Sequence, residues 1–210
     1  MIDYRTFTVT PFMQNCRVFF NDETMEACVV DPGDSADRIF ENLKAEGFSI
    51  KTILITHMHL DHVGGVHRLA ELSGAGILGS AIEDSPILNA LDMQAEAFGL
   101  PRTEIFDNTW LTDGQKISPI EGIEFKVLAT PGHTPGGICF YSEKKKLVLT
   151  GDSLFYGSIG RTDFPLGDTD ALFSSIKEKL YTLPDETSVL PGHGPESSIY
   201  DEKRSNPYTV

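Results

Sequence analysis

Short apolar runs separated by turn residues open the chain. Phe7-Thr8-Val9, Cys16-Arg17-Val18-Phe19-Phe20 and Ala27-Cys28-Val29-Val30 are β-branched and aromatic stretches divided by Pro11 and by Asn21-Asp22, and they predict a meander of three strands. Asp31-Pro32-Gly33-Asp34-Ser35 ends that pattern and offers N-cap residues for a helix with Ala36, Ile39 and Leu43 on one face, closing at Gly47. Residues 51–56 form an apolar run of the kind buried on both faces of a sheet. Beyond a histidine-rich loop, Val66 to Leu72 reads as a short helix and Ile77-Leu78 as a strand. Residues 81–100 read as helical, with Pro86 as a break or first turn and Gly99 as the stop. From Trp110 to Tyr141 the pattern returns to strands, with turns at Asp113-Gly114 and Glu121-Gly122 and a glycine-proline loop over 130–137. A buried strand over 146–150, a helix over 171–180 and a last strand over 188–190 complete the pattern. Strand meanders alternating with amphipathic helices predict an α+β fold of two packed β layers covered by helices, in one domain spanning 1–210.

Composition changes that picture little and removes several functions. The chain has 210 residues, 40% of them hydrophobic and 23% charged, which is ordinary for a globular domain able to bury most of its apolar surface. Its 17 basic and 31 acidic residues leave a formal net charge of −14, so a nucleic-acid partner is not expected: there is no basic footprint for phosphates. No apolar run reaches the roughly 20 residues that span a bilayer, and the first residues lack a secretory pattern. Cys16, Cys28 and Cys139 are widely spaced and form no C-x-x-C, which predicts buried free thiols and a cytoplasmic protein. Lys144-Lys145-Lys146 reads as a solvated hairpin tip. Nothing in the sequence sets an oligomeric state.

The chemistry concentrates in histidine. Three of the six histidines fall in Thr56-His57-Met58-His59-Leu60-Asp61-His62, directly after the buried strand. Alternate positions of an extended segment point the same way, so His57 and His59 can hold one metal while Asp61 and His62 continue round the turn toward a second. His133 in Pro-Gly-His, Asp152 in Thr-Gly-Asp and His193 in a second Pro-Gly-His follow other strands. Singly, each has a plain alternative as a turn or cap residue. Together they make five histidines and two aspartates, with His67 left over as a helix-surface residue. Seven ligands exceed one tetrahedral zinc and suit two divalent metals, with His57, His59 and His133 on the first, Asp61, His62 and His193 on the second, and Asp152 bridging. Imidazole-rich ligation without cysteine suits zinc, iron or manganese alike and does not choose among them; two divalent ions are expected, with zinc taken first and iron or manganese as alternatives.

At these positions the sequence resembles the metallo-β-lactamase superfamily, over about residue 4 to the C-terminus. The segments Pro131–Gly136, Gly151–Phe155 and Pro191–Pro195 are most similar to type II glyoxalases (hydroxyacylglutathione hydrolases), in their short bacterial form. The resemblance implies an αββα sandwich of two mixed sheets flanked by helices, with metals at one edge. It also implies hydrolysis of a glutathione thioester of the S-D-lactoylglutathione type by a metal-bridging hydroxide, which Asp61 helps to orient as well as ligating metal.

The resemblance is incomplete. Only residues 194–210 follow His193, so most of the C-terminal helical domain of full-length type II glyoxalases is expected to be missing. Gly157–Phe164 also resembles the G-R-x-D-F segment of persulfide dioxygenases, which makes a mononuclear iron oxidoreductase the alternative, alongside another hydrolase of the same fold. Arg161 aligns with a glutathione-contacting position, but Asp163 stands where a tyrosine is expected, and an Arg161–Asp163 ion pair competes with that role. Tyr156, with Phe155, is a candidate for the thioester pocket, core packing being the alternative. Lys203 and Arg204 are the other basic residues placed to meet the glutathione carboxylates.

Overall fold

In the computed structural model, which describes residues 1–209, strands β1 (Ile2–Val9), β2 (Gln14–Asn21) and β3 (Glu26–Val30) form the expected antiparallel meander. Helix α1 (Ala36–Ala45) crosses over to β4 (Ser49–Ile55), which runs parallel to β3. Helices α2 (Leu60–Val63) and α3 (Val66–Ser73) then lead to β5 (Gly76–Gly79), parallel to β4, completing a mixed sheet in the order β1-β2-β3-β4-β5. Helices α4 (Ser85–Leu88) and α5 (Leu91–Phe98) precede the second sheet. There β6 (Lys116–Ile120), β7 (Ile123–Ala129), β8 (Ile138–Ser142) and β9 (Leu147–Gly151) run antiparallel. A small hairpin, β10 (Leu154–Phe155) and β11 (Ser158–Ile159), and helix α6 (Thr169–Ser175) come next. Strand β12 (Ser188–Pro191) then pairs parallel with β9, and β13 (Ser197–Ser198) closes the edge before α7 (Ile199–Ser205). The second sheet has the order β13-β12-β9-β8-β7-β6.

Alternation along the strands sets the layers. On β7, Ile123, Phe125 and Val127 are buried while Glu124 and Lys126 are exposed, as period-two geometry requires for a half-solvated strand. Inward residues of both sheets meet in a central core, with Phe19, Val30 and Leu54 packed against Phe125, Phe140 and Leu149. A second core fills the space between the outer face of the first sheet and α1, α3 and α5, through Ile53, Ile39, Leu69 and Leu91. A third lies under α6 and α7, where Val148 and Val189 meet Leu172, Ile176 and Ile199. The result is the αββα sandwich. No helix among the described residues is long and apolar enough to cross a membrane, and all three cysteines are buried and free.

Several local expectations are corrected. The 81–100 stretch is not one helix but a 3₁₀ turn (Ile82–Asp84), α4 and α5, because the Asp84 carboxylate is drawn inward to hydrogen-bond two other loops. Strand structure resumes at Lys116 rather than Trp110; residues 109–111 run alongside β5 through Gly79 N–H to the Thr109 carbonyl and Leu111 N–H to the Ser80 carbonyl. Ser35 caps α1 without a side-chain bond, its backbone left-handed at φ 59°. The helix over 171–180 is α6 followed by a wider π-helical turn over Ile176–Leu180. At the lysine turn, Lys145 Nζ donates to the Ile2 carbonyl at 2.8 Å and ties the hairpin to β1.

Candidate metal centre

Four strands end at one edge of the sandwich, and each delivers part of the cluster. His57 follows β4, His59 is the N-cap of α2, and Asp61 and His62 lie in its single turn. His133 sits in the β7–β8 loop, Asp152 directly after β9 and His193 after β12. The structure brings all seven side chains together. Potential ligand atoms fall into groups each spanning no more than 4.8 Å: His57, His59 and His133; Asp61, His62 and His193; and His57, His62 and Asp152. Nδ1 of His59 and Nε2 of His133 are 2.9 Å apart, and Nε2 of His62 and His193 are 3.3 Å apart. Asp152 reaches both of the first two groups: Oδ1 is 3.2 Å from His62 Nε2, and Oδ2 is 3.6 Å from both His133 Nε2 and His193 Nε2. Asp61 Oδ2 lies 3.2 Å from His193 Nε2.

What holds these rings also selects the nitrogen that faces inward. His133 Nδ1–H donates to the Arg161 carbonyl at 2.7 Å, and His193 Nδ1–H to the Phe12 carbonyl at 3.0 Å. His62 Nδ1 is 2.9 Å from Asp31 Oδ2. With Nδ1 so engaged, Nε2 is the nitrogen turned toward the cluster, which is how histidine ligands are commonly oriented. His57 Nε2 is buried without a hydrogen-bond partner, and Asp152 Oδ1 has only His62 Nε2 beside it, at 3.2 Å, an arrangement that is costly unless a cation satisfies them. The donor set therefore fits divalent cations.

Electrostatics prepares the same atoms. Burial pushes His57 well below its usual value, with His62 adding to the effect, and holds His59 at about 3; both imidazoles are neutral at pH 7. Burial also works against a charged His62, but Asp152 and Asp61, with Asp31 behind, outweigh it and raise that imidazole well above its usual value. Burial likewise opposes ionisation of Asp152, and the neighbouring His62 overrides it, keeping the carboxyl far below the usual carboxylate range.

Two aspartates that sequence reasoning did not assign complete the scaffold. Asp31, left-handed at φ 50° directly after β3, accepts from Thr56 N–H at 2.7 Å and Thr56 Oγ1 at 2.6 Å as well as holding His62. Its position after a buried strand matches that of Asp152, and this was its available signal. Asp84 is fully buried and accepts from Met58 N–H (3.2 Å), Thr134 Oγ1 (3.0 Å) and Gly136 N–H (2.6 Å). It thereby joins the His57–His59 segment to the His133 loop. Close approach also demands glycine at position 192, where a Cβ would stand 2.4 Å from Asp152 Oδ1 and 2.6 Å from His62 Cε1.

A cleft of about 630 Å³ opens over the cluster, with His59, Asp61, His133, Asp152 and His193 in its floor. Arg161 lines it, but its guanidinium is engaged by Asp163 through bonds of 2.9 and 2.8 Å. Phe155 lines the cleft; Tyr156 does not and points into solvent, 62% exposed. Lys203 and Arg204 are away from the lining, paired with Asp185 at 2.9 and 3.2 Å. His67 lies on α3, 3.5 Å from Glu104.

Residues 9–193 match the profile of the Metallo-beta-lactamase superfamily. The protein named hydroxyacylglutathione hydrolase GloC of Haemophilus influenzae is 43% identical over 201 residues, covering 95% of this chain and 94% of that one. Among solved structures, BLEG-1 B3 metallo-beta-lactamase superposes with a TM-score of 0.91 at 33% identity, covering 99% of this chain and 100% of that one. TTHA1623, crystallised in a di-iron-bound form, gives 0.88 at 36% identity, covering 97% and 99%. Fold, histidine-aspartate cluster and these likenesses agree, and the chain belongs to the metallo-β-lactamase superfamily.

Proposed function

We propose that this protein is a binuclear metal-dependent hydrolase that cleaves a glutathione thioester of the S-D-lactoylglutathione type. The observation that carries the reading is the placement of Asp152, whose two oxygens reach both the His57–His59–His133 and the Asp61–His62–His193 groups. In this reading those two groups each hold one divalent cation, zinc first among the candidates and iron supported by the di-iron form of TTHA1623. When bound, such cations polarise a carbonyl and make hydroxide available near neutral pH. The likeness to the Haemophilus hydroxyacylglutathione hydrolase supports the thioester.

The chain's own residues account for the rest. Asp61 faces His193 in the cleft floor and orients the attacking water as well as ligating. Every other ionisable side chain lining the cleft is a ligand or Arg161, so no free general acid is at hand. A thiolate needs none, since thiols have pKa values of about 8–9; an alkoxide would. Arg161 anchors a substrate carboxylate only by exchanging its Asp163 partner, which limits its contribution to that of an exposed pair.

A second reading, a mononuclear iron persulfide dioxygenase, draws on the formed Arg161–Asp163 pair and on Phe164, whose ring edges against His59 at 5.6 Å. Assaying metal-loaded protein against acyl-glutathiones and a β-lactam, with an oxygen electrode recording glutathione persulfide turnover, separates the readings. Chelator-sensitive thiol release without oxygen uptake is the expected result. Oxygen uptake without thioester hydrolysis would replace the hydrolase by the dioxygenase.

A further inference from the structure

The cleft above the cluster is walled by apolar groups that the proposed chemistry does not use. Helix α5 has two apolar faces. Leu91 and Ala95 enter the core, while Met93 and Ala97, one turn apart, line the cleft together with Ala90 just before the helix. Phe12, Met93, Phe98 and Leu166 line it while remaining 45%, 72%, 44% and 57% exposed. Large apolar side chains gathered at one exposed place mark a binding surface rather than a core.

Aromatic contacts run from the rim to the metal centre. Phe12 meets Phe98 edge-on at 6.2 Å, Phe98 meets Phe164 at 5.8 Å, and Phe164 reaches the ring of His59. Leu166 is held at φ 71° as the third residue of a turn that Gly167 N–H closes by donating to the Phe164 carbonyl at 2.9 Å. The one cationic side chain in the lining, Arg161, is already paired with Asp163. The cleft thus offers extensive apolar contact and little for carboxylates.

We infer that the site also accepts acyl groups longer than lactoyl, apolar chains lying along α5 between Met93, Phe98 and Leu166. This rests on the hydrolase reading. Of the two halves of a glutathione thioester, only the acyl half can be uncharged, so it is the half these walls accept. The reaction stays balanced: water adds to the carbonyl carbon, the C–S bond breaks, and a fatty carboxylate and glutathione leave with one proton released to solvent.

Measuring kcat/KM for lactoyl, butanoyl, hexanoyl and octanoyl thioesters of glutathione tests it. Each added methylene should raise kcat/KM roughly two- to fourfold until the cleft is filled, the upper figure corresponding to full burial of a methylene. Met93→Asp and Phe98→Asp, both at exposed positions, should flatten that dependence. Calorimetric binding of S-butyl-, S-hexyl- and S-octylglutathione, which cannot be hydrolysed, reads the cleft separately from catalysis and should tighten in the same order. A flat series in kinetics and binding, or a slope unchanged in both variants, overturns the inference while leaving thioester hydrolysis in place. Binding that tightens with chain length in a protein that hydrolyses no thioester would instead remove the hydrolase reading and retain the apolar site.

Discussion

Asp152 and Asp84 show how differently two carboxylates serve one centre. Asp152→Ala removes both oxygens that reach across the cluster, so metal analysis should show loss of bound cation and thiol release should stop. His67→Ala, on α3 beside Glu104, should change neither; loss of metal in that variant would refute the division of the histidines. Asp84→Ala leaves two buried amides and the Thr134 hydroxyl without their acceptor, each worth about 1–3 kcal/mol. Cation affinity should fall roughly 10- to 100-fold, as for other residues that orient ligands, and chelator competition measures it; unchanged affinity would show that the two loops hold themselves. The cluster residues were legible because they occur close together or directly after apolar strands. Asp84 was not, since it lies amid the helical pattern of 81–100 and its role exists only once Met58 and Gly136 are brought to it. Tyr156 and Phe155 could not be told apart by type, and the hairpin of β10 and β11 decided which faces the cleft.

At the scale of elements, α6 acts as a clamp on the His133 loop. Asp168 N–H donates to the Gly132 carbonyl at 2.8 Å, Ser175 Oγ to the Pro131 carbonyl at 2.8 Å, and the Asp168 side chain caps the helix through Ala171 N–H. A Cβ at Gly132 would meet Leu172 Cα at 2.4 Å, so helix and loop touch directly. Leu172 is fully buried in the core beneath, and Leu172→Ala should destabilise the protein by about 2–5 kcal/mol in denaturant unfolding. Activity per folded molecule should also fall as the loop loosens; a drop in stability with turnover intact would show that α6 supports the sheet alone. Strands were the more legible elements, because β-branched runs between Pro, Gly and Asn carry their own boundaries. Helix breaks were less so: the split of 81–100 and the π-turn after α6 follow from tertiary hydrogen bonds and packing that local periodicity does not contain.

For the whole molecule, the sandwich turns four strand ends into one site, and the net charge of −14 favours the approach of divalent cations over that of anionic substrates. In chelator-treated protein, Asp31, Asp61 and Asp152 keep a proton on His62, whose value is raised well above the ordinary one once burial has been overcome. Metal binding requires that nitrogen to be deprotonated, so at pH 7 cation uptake should release about one proton or more per chain. Calorimetry in buffers of different ionisation enthalpy measures this, and uptake without proton release would show that His62 carries no extra proton to give up on binding.

The central claim is that the His57–His59–His133 and Asp61–His62–His193 groups, with Asp152 between them, would each hold one cation and that the loaded protein hydrolyses thioesters. Its most direct test is to add Zn²⁺ stepwise to the chelator-stripped protein while recording thiol release from S-D-lactoylglutathione. The rate is predicted to climb until two equivalents per chain are bound and then to level off. A plateau at one equivalent, or no thiol release at any loading, would contradict the account.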